Sequence, residues 1–253
     1  MSRAGWIRLG AIGALVAAVE ALCRAGIVSP LRLLPPSAMV LGLGPLLTSA
    51  TMLAQVARTL ADVGIALALA VMVGFVVGAV LSALPRVRAV VEPLLVSYYA
   101  VPVFVFYPFF IVVLGLNRYP RIAIGFLLAV VAMIVSTLNG FDRVPPVLLK
   151  TARVLRLSRV ETVRRVILPH AVLYVSTGLK LAVAYAFIGV IAAEFIMSGD
   201  GIGYEIAFAF NNFDNRTLYP LILLVLLVSS SLTLALHAWE RRYVARQTTQ
   251  EAR

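Results

Sequence analysis

Charge is scarce in this 253-residue chain: Asp, Glu, Lys and Arg together make up 13% of it, about half the share of an ordinary soluble domain. With 62% hydrophobic residues, a water-soluble globule of this size could not hide its apolar surface, so that class is excluded, as are disordered and collagen-like chains. The single cysteine, Cys23, rules out an intramolecular disulfide. Two histidines, His170 and His237, form no metal-spaced cluster, so no metal site is expected. The two lysines, Lys150 and Lys180, do not close the G-x-x-x-x-G-K-[ST] loop that cradles phosphates; Lys180 follows Val-Ser-Thr-Gly-Leu. No nucleotide site or other cofactor is therefore expected in this chain. Apolar and polar residues do not alternate over long stretches, which excludes an outer-membrane barrel.

What is present is a set of long apolar runs, about 9–26, 60–83, 94–116, 122–140, 171–197 and 217–238. A membrane helix needs about 20 apolar residues, so the reading is an all-α polytopic membrane protein with six transmembrane helices in one domain, 1–253. The first run follows Arg3 and Arg8 like a signal peptide. However, Glu20 and Arg24 bound it and no small-x-small cleavage site is evident, so a retained helix is expected. Gly74 and Gly78 in the second run are spaced for close helix approach.

Acidic residues number eleven against twenty-two basic ones. In a soluble chain that surplus would suggest nucleic acid, but here the cations flank the apolar runs and are not interleaved with stacking aromatics. Fifteen fall on one side: Arg3, Arg8, Arg86, Arg88, seven between Arg143 and Arg165, and four from Arg241 onward. Six fall on the other: Arg24, Arg32, Arg58, Arg118, Arg121 and Arg216. The positive-inside rule then places both termini in the cytoplasm.

The most basic link, 142–169, joins the fourth and fifth runs. Pro145 and Pro146 suit a first helical turn. Leu148, Ala152 and Leu155 recur at helical spacing, with Lys150, Arg153 and Arg156 on other faces. Ser158 and Glu161 form the S-x-x-E capping box of a second helix, with Val160, Val163 and Ile167 as its apolar stripe and Pro169 as its limit. Two short helices with a bend at Leu157-Ser158 are expected. A basic segment of this kind could lie on lipid headgroups or present a helix to a partner's groove.

This segment resembles the cytoplasmic signature of ABC-importer permeases, in which Glu-Ala-Ala is followed by three residues, Gly, nine residues and Ile-x-Leu-Pro. Aligned on Ile167-Leu168-Pro169, Lys150-Thr151-Ala152 stands at Glu-Ala-Ala and Arg156 at the glycine. Leu34-Pro35-Pro36-Ser37, Pro102 and Pro108 followed by Gly115, Gly178-Leu179-Lys180, Ala193-Glu194 and Gly201-Ile202-Gly203 resemble the nitrate, taurine and aliphatic-sulfonate branch. The resemblance covers roughly 30–240. It implies a type I importer permease in a bacterial inner membrane, with coupling helices between spans four and five. Implied partners are two ABC ATPase subunits carrying ATP and magnesium, an extracytoplasmic binding protein and a second permease subunit, like or unlike. The ATPase-coupling residues would be Lys150, Thr151, Ala152, Arg153, Leu155, Arg156, Ser158, Glu161 and Pro169. Two departures stand out: Lys150 reverses the charge of the signature's Glu, and Arg156 takes a glycine's place, where positive φ is costly. Either the ATPase carries compensating acids or the chain is half of an unequal pair.

Ionisable groups at membrane depth suggest function. Lys180 and Glu194 lie on nearly one face of the fifth run; both line the pathway or a dimer seam, or else Lys180 snorkels and Glu194 sits at the interface. Tyr98, Tyr99, Pro102 and Tyr107 in the kinked third run narrow the pathway or form a lipid-facing aromatic belt. Asp62 is expected at the interface. Asp200, Asn211, Asn212, Asp214 and Arg216 are polar enough to face a binding protein or to form an ordinary solvated loop.

Overall fold

In the computed structural model, residues 3–29 and 32–251 are described; Arg253, one of the flanking cations, lies outside them. The elements, all helical, run α1 (Arg3–Arg24), α2 (Pro36–Thr48), α3 (Ala50–Ala83), α4 (Pro85–Tyr98), α5 (Tyr107–Leu114), α6 (Tyr119–Asp142), α7 (Pro146–Val154), α8 (Arg159–Thr162), α9 (Leu168–Met197), α10 (Ile202–Asn211) and α11 (Asn215–Glu251). A tight turn, Val103–Phe106, leads into α5, and a wider π turn, Val163–Ile167, leads into α9.

Among the described residues, four helical stretches are long and apolar enough to cross a membrane: Ala50–Ala83, Tyr119–Asp142, Val160–Ile196 and Asn215–Ala238. A fifth is counted if α4 and the stretch to Leu114, bent by 92°, form one span. These do not make up the expected six. The first expected run is helical as α1, 22 residues long, with Arg8 and Glu20 inside it. The third expected run is not one continuous span. Pro102 has no N–H to donate and drives the residue before it out of the helical region, so α4 ends at Tyr98; Pro108 suits the start of α5. The helices α2 and α10 were not foreseen, and α3 starts at Ala50, ten residues ahead of the expected run.

The chain divides into two compact units. In the first, residues 1–58 and 194–228, α2 meets the start of α11: a Cβ on Gly42 would lie 2.5 Å from the Pro220 ring. Leu43, Met52, Leu221 and Leu224 form the core of this contact. The Glu20 carboxylate accepts the Ser37 N–H at 3.0 Å, the Ser37 hydroxyl at 2.6 Å and Arg24 Nε at 2.6 Å, which ties the end of α1 to the start of α2.

In the second unit, residues 59–193 and 229–253, α6 is buried along most of its length. Small residues set its approach to its neighbours. A Cβ on Gly78 would sit 2.7 Å from the Thr137 Cβ, and one on Gly74 would sit 2.7 Å from the Met133 Cβ, so the G-x-x-x-G face of α3 lies directly against α6. On the other flank, Gly189 of α9 faces Gly125 of α6, where a Cβ would come within 2.8 Å of the opposing Cα. Val103, Tyr107, Ile124 and Ala193 form a core cluster, and the Tyr98 hydroxyl donates to the Leu127 carbonyl at 3.1 Å. The bent α4–α5 pair is thereby held against α6.

Candidate functional site

The basic segment folds as two helical pieces joined by a fixed bend. Pro146 occupies the first turn of α7. Val144 and Ala152 are buried and anchor its inner side. Leu155, expected on that stripe, is instead exposed, as are Val147 and Val154, the last at 81%. Lys150, Thr151, Arg153 and Arg156 share the open side. The expected stripe is displaced because α7 ends at Val154 and Leu155 already belongs to the turn.

That turn is defined by backbone bonds. The Arg156 N–H donates to the Arg153 carbonyl and the Leu157 N–H to the Ala152 carbonyl, both at 3.0 Å, the paired pattern that closes a helix through a left-handed residue. The left-handed residue is Arg156, at φ 51°. The capping box follows. The Ser158 N–H and hydroxyl donate to Glu161 Oε2 at 3.0 and 2.8 Å, and the Glu161 N–H donates back to Ser158 Oγ at 3.2 Å. A non-glycine left-handed residue costs about 1–2 kcal/mol. Arg156→Gly is therefore expected to stabilise the bend by about 1 kcal/mol and to slow hydrogen exchange at the Leu157 amide; unchanged or faster exchange there would contradict this reading.

Two expectations fail beyond the capping box. Val160, placed on an apolar stripe, is exposed. Pro169 does not end the second helix, because the helical run continues from Val160 to Ile196. The π turn makes this continuity feasible: the Leu168 N–H reaches back five residues to the Val163 carbonyl, and the widened turn accommodates the proline one position later. The root of the segment is held at two points. The Arg143 guanidinium lies 5.8 Å over the Tyr174 ring of α9, and Arg88 of α4 bonds Asp142 at 2.6 and 2.7 Å.

The residues expected along the pathway are not alike. Glu194 is fully buried and accepts the Gly203 N–H at 3.0 Å, so its carboxylate sits at the N-terminus of α10, where a helix favours negative charge. Tyr107 is enclosed in the α5–α6 core. Neither exposes its side chain in this structure. Lys180 and Tyr98 are half-buried, and Tyr99 and Pro102 are exposed.

Of the polar loop residues, Asp200 pairs with Arg58 at 3.3 Å. Asp214 Oδ1 accepts the Thr217 N–H at 3.3 Å at the start of α11, and Asn212 donates to the Phe208 carbonyl at 2.8 Å. Asn211 and Arg216 are exposed. Between them, Phe213 repeats the left-handed helix ending at φ 54° and is 87% exposed. Its aromatic character within a polar run is the signal for it in the sequence.

Asp62 is enclosed by protein. It is 1% exposed: Arg121 Nε donates to it at 2.5 Å, and Arg118 bonds it as well. The pairing joins residues almost sixty positions apart, and no local pattern reveals it. Among the described residues, no group of three His, Cys, Asp or Glu side chains gathers as a metal would require.

Residues 38–248 match the model of the family described as binding-protein-dependent transport system inner membrane component, and the chain belongs to that family. It is 27% identical over 247 residues to the taurine transport system permease protein TauC of Escherichia coli, covering 96% of this chain and 90% of TauC. It is 30% identical over 194 residues to the nitrate import permease protein NrtB of Synechococcus elongatus, covering 76% and 69% of the two chains. With the bicarbonate transport system permease protein CmpB of the same species it shares 28% identity over 195 residues, again 76% and 69%. Among solved structures, an inward-facing form of the MetNI methionine ABC transporter matches with a TM-score of 0.65 at 16% identity, over 76% of this chain and 95% of that one. The chain is thus a multi-pass inner-membrane permease component of an ABC importer, with the fold of that class.

Proposed function

We propose that residues 142–169 are the surface on which a separate ATPase docks. The carrying observation is the exposed face of this segment. Val147, Val154, Leu155 and Val160 stand open among Lys150, Arg153 and Arg156, on a backbone whose bend is fixed by Arg156 and by the Ser158–Glu161 box. Exposed apolar side chains ringed by cations suit a groove with an acidic rim, and Lys150 in place of an acid calls for an acid on the partner.

In this reading the segment and both termini are cytoplasmic, as the basic flanks indicate. Two ATPase subunits bind the ATP and magnesium, a second permease chain completes the pathway, and this chain catalyses no hydrolysis. Residues 1–253 act as one permease domain. Closing of the ATPase pair displaces α7, and the continuous helix from Val160 to Ile196 carries that displacement toward the membrane as a rigid-body motion. Lys180, Tyr98, Tyr99 and Pro102 lie along the pathway or a seam between permeases. A binding protein delivers the solute to the opposite face, where Asp200, Asn211, Asn212, Asp214 and Arg216 meet it. The cargo is a small organic or inorganic anion. The relatives named for taurine, nitrate and bicarbonate support that class.

The test is co-purification. Replacing 148–165 by a Gly/Ser linker is expected to abolish retention of the partner ATPase while the chain still inserts in the membrane. Retention at the wild-type level would refute the docking surface.

A further inference from the structure

Arg88 stands fourth in α4, and Asp142 is the last residue of α6, four residues ahead of the first residue of α7. The guanidinium meets the carboxylate in a two-pronged arrangement, Nη1 to Oδ1 at 2.6 Å and Nη2 to Oδ2 at 2.7 Å. Its Nε donates to Glu92 at 2.9 Å, so Arg88 is braced on its own helix while it grips the next. This parallel pairing fixes orientation as well as distance. The link from Asp142 to α7 has little slack: Val144 is buried, and Pro145 and Pro146 have locked φ. Any displacement of α7 therefore arrives at Asp142, and Arg88 is the contact through which it reaches α4.

The companion anchor, Arg143 over Tyr174, leads to α9. The root of the segment thus has separate connections to two helices. α4 leads directly into the 92° bend and the tight turn at Val103, close to Tyr98 and Tyr107. A tie to α4 moves this broken element, whereas a tie to α9 moves a continuous span.

We infer that the Arg88–Asp142 pair is a positioning device that transmits ATPase docking to the bent α4–α5 element. The inference rests on the reading of 142–169 as the docking surface.

The test uses the permease purified with its partner ATPase, in a Cys23→Ser background with nitroxide labels on V90C and Y119C, two exposed positions. Distances are measured without nucleotide and after trapping with ATP and orthovanadate. The wild-type pair is expected to shift by on the order of 1–2 Å on trapping. Arg88→Gln and Asp142→Asn are each expected to keep the nucleotide-free distance and the bound ATPase but to lose most of the shift. The double variant should lose no more than either single one, since the two groups act as a unit. Glu92→Gln should retain the shift. A shift that persists in Arg88→Gln, losses that add in the double variant, a wild-type complex that shows no shift, or a changed nucleotide-free distance would each overturn the transmission role. Release of the ATPase by Arg88→Gln would overturn it too, by making Arg88 a docking group. A wild-type chain that retains no ATPase would instead remove the docking reading, and this inference with it.

Discussion

Asp62→Ala is expected to lower the stability of the folded chain by about 3–5 kcal/mol, the range seen when one partner of a buried ion pair is removed. Asp62 is 1% exposed and the Arg121 side chain 5%, so water cannot take over the role of the carboxylate. The substitution takes the carboxylate away from the buried Arg121 guanidinium, whereas Arg118, 44% exposed, stays partly in water. The measurement is denaturant or thermal unfolding of the detergent-solubilised protein. A loss below about 1 kcal/mol would mean that the pair behaves like an exposed one. A second measurement isolates the cause. Asp62→Leu combined with Arg121→Leu should be less damaging than Asp62→Ala alone, because it removes both buried charges and leaves only Arg118, whose side chain is 44% exposed and reaches water.

The second large effect is expected at Gly201. Its φ of 101° lies where side chains are strained, at a cost of about 1–3 kcal/mol. A Cβ there would also come within 2.2 to 2.5 Å of the Glu194 carboxylate, and overpacking of this kind costs typically 1–3 kcal/mol. Glu194 cannot easily withdraw, since it is fully buried and holds the Gly203 N–H. Around it, Gln55 accepts the Gly201 N–H and donates to Glu205, each at 3.0 Å. Gly201→Ala is therefore expected to destabilise by about 2–5 kcal/mol, read as a lowered unfolding midpoint. Adding Glu194→Ala should relieve the steric part of that loss; a double variant that is strictly additive would show that the carboxylate is not the obstacle.

The legible part of this chain was whatever one helix encodes locally. The capping box at Ser158 and Glu161, the bend at Leu157-Ser158 and the G-x-x-x-G face of α3 all depend on residues within a turn or two of each other, and each is realised. The same holds for the family motifs, whose order along the chain survived the reversal at Lys150. Pairings between distant elements were not legible. The pairing of Asp62 was hidden because its partners lie almost sixty positions away. Glu194 and Lys180 share a face by helical arithmetic, yet the loop that returns after Met197 brings the N-terminus of α10 onto one of them. Breaks were only half legible: Pro102 announced a kink but not a 92° bend, and Pro169 announced a helix end that the π turn averts. Hydropathy sets how many apolar residues are present, not how the chain divides them, so α2 and α10 were absorbed into loops.

The π turn at Val163–Ile167 bears on what the chain tolerates as it changes. A regular helix advances about 100° per residue, and the widened turn accommodates one residue more than a regular turn would. Because the wider turn absorbs that residue, losing it would restore a regular turn and leave Lys150 and its neighbours facing nearly the same way. A one-residue deletion in a regular turn of α9 would instead rotate everything before it by about 100°. The π turn is thus the place between the basic face and the membrane where a change of length costs that face least.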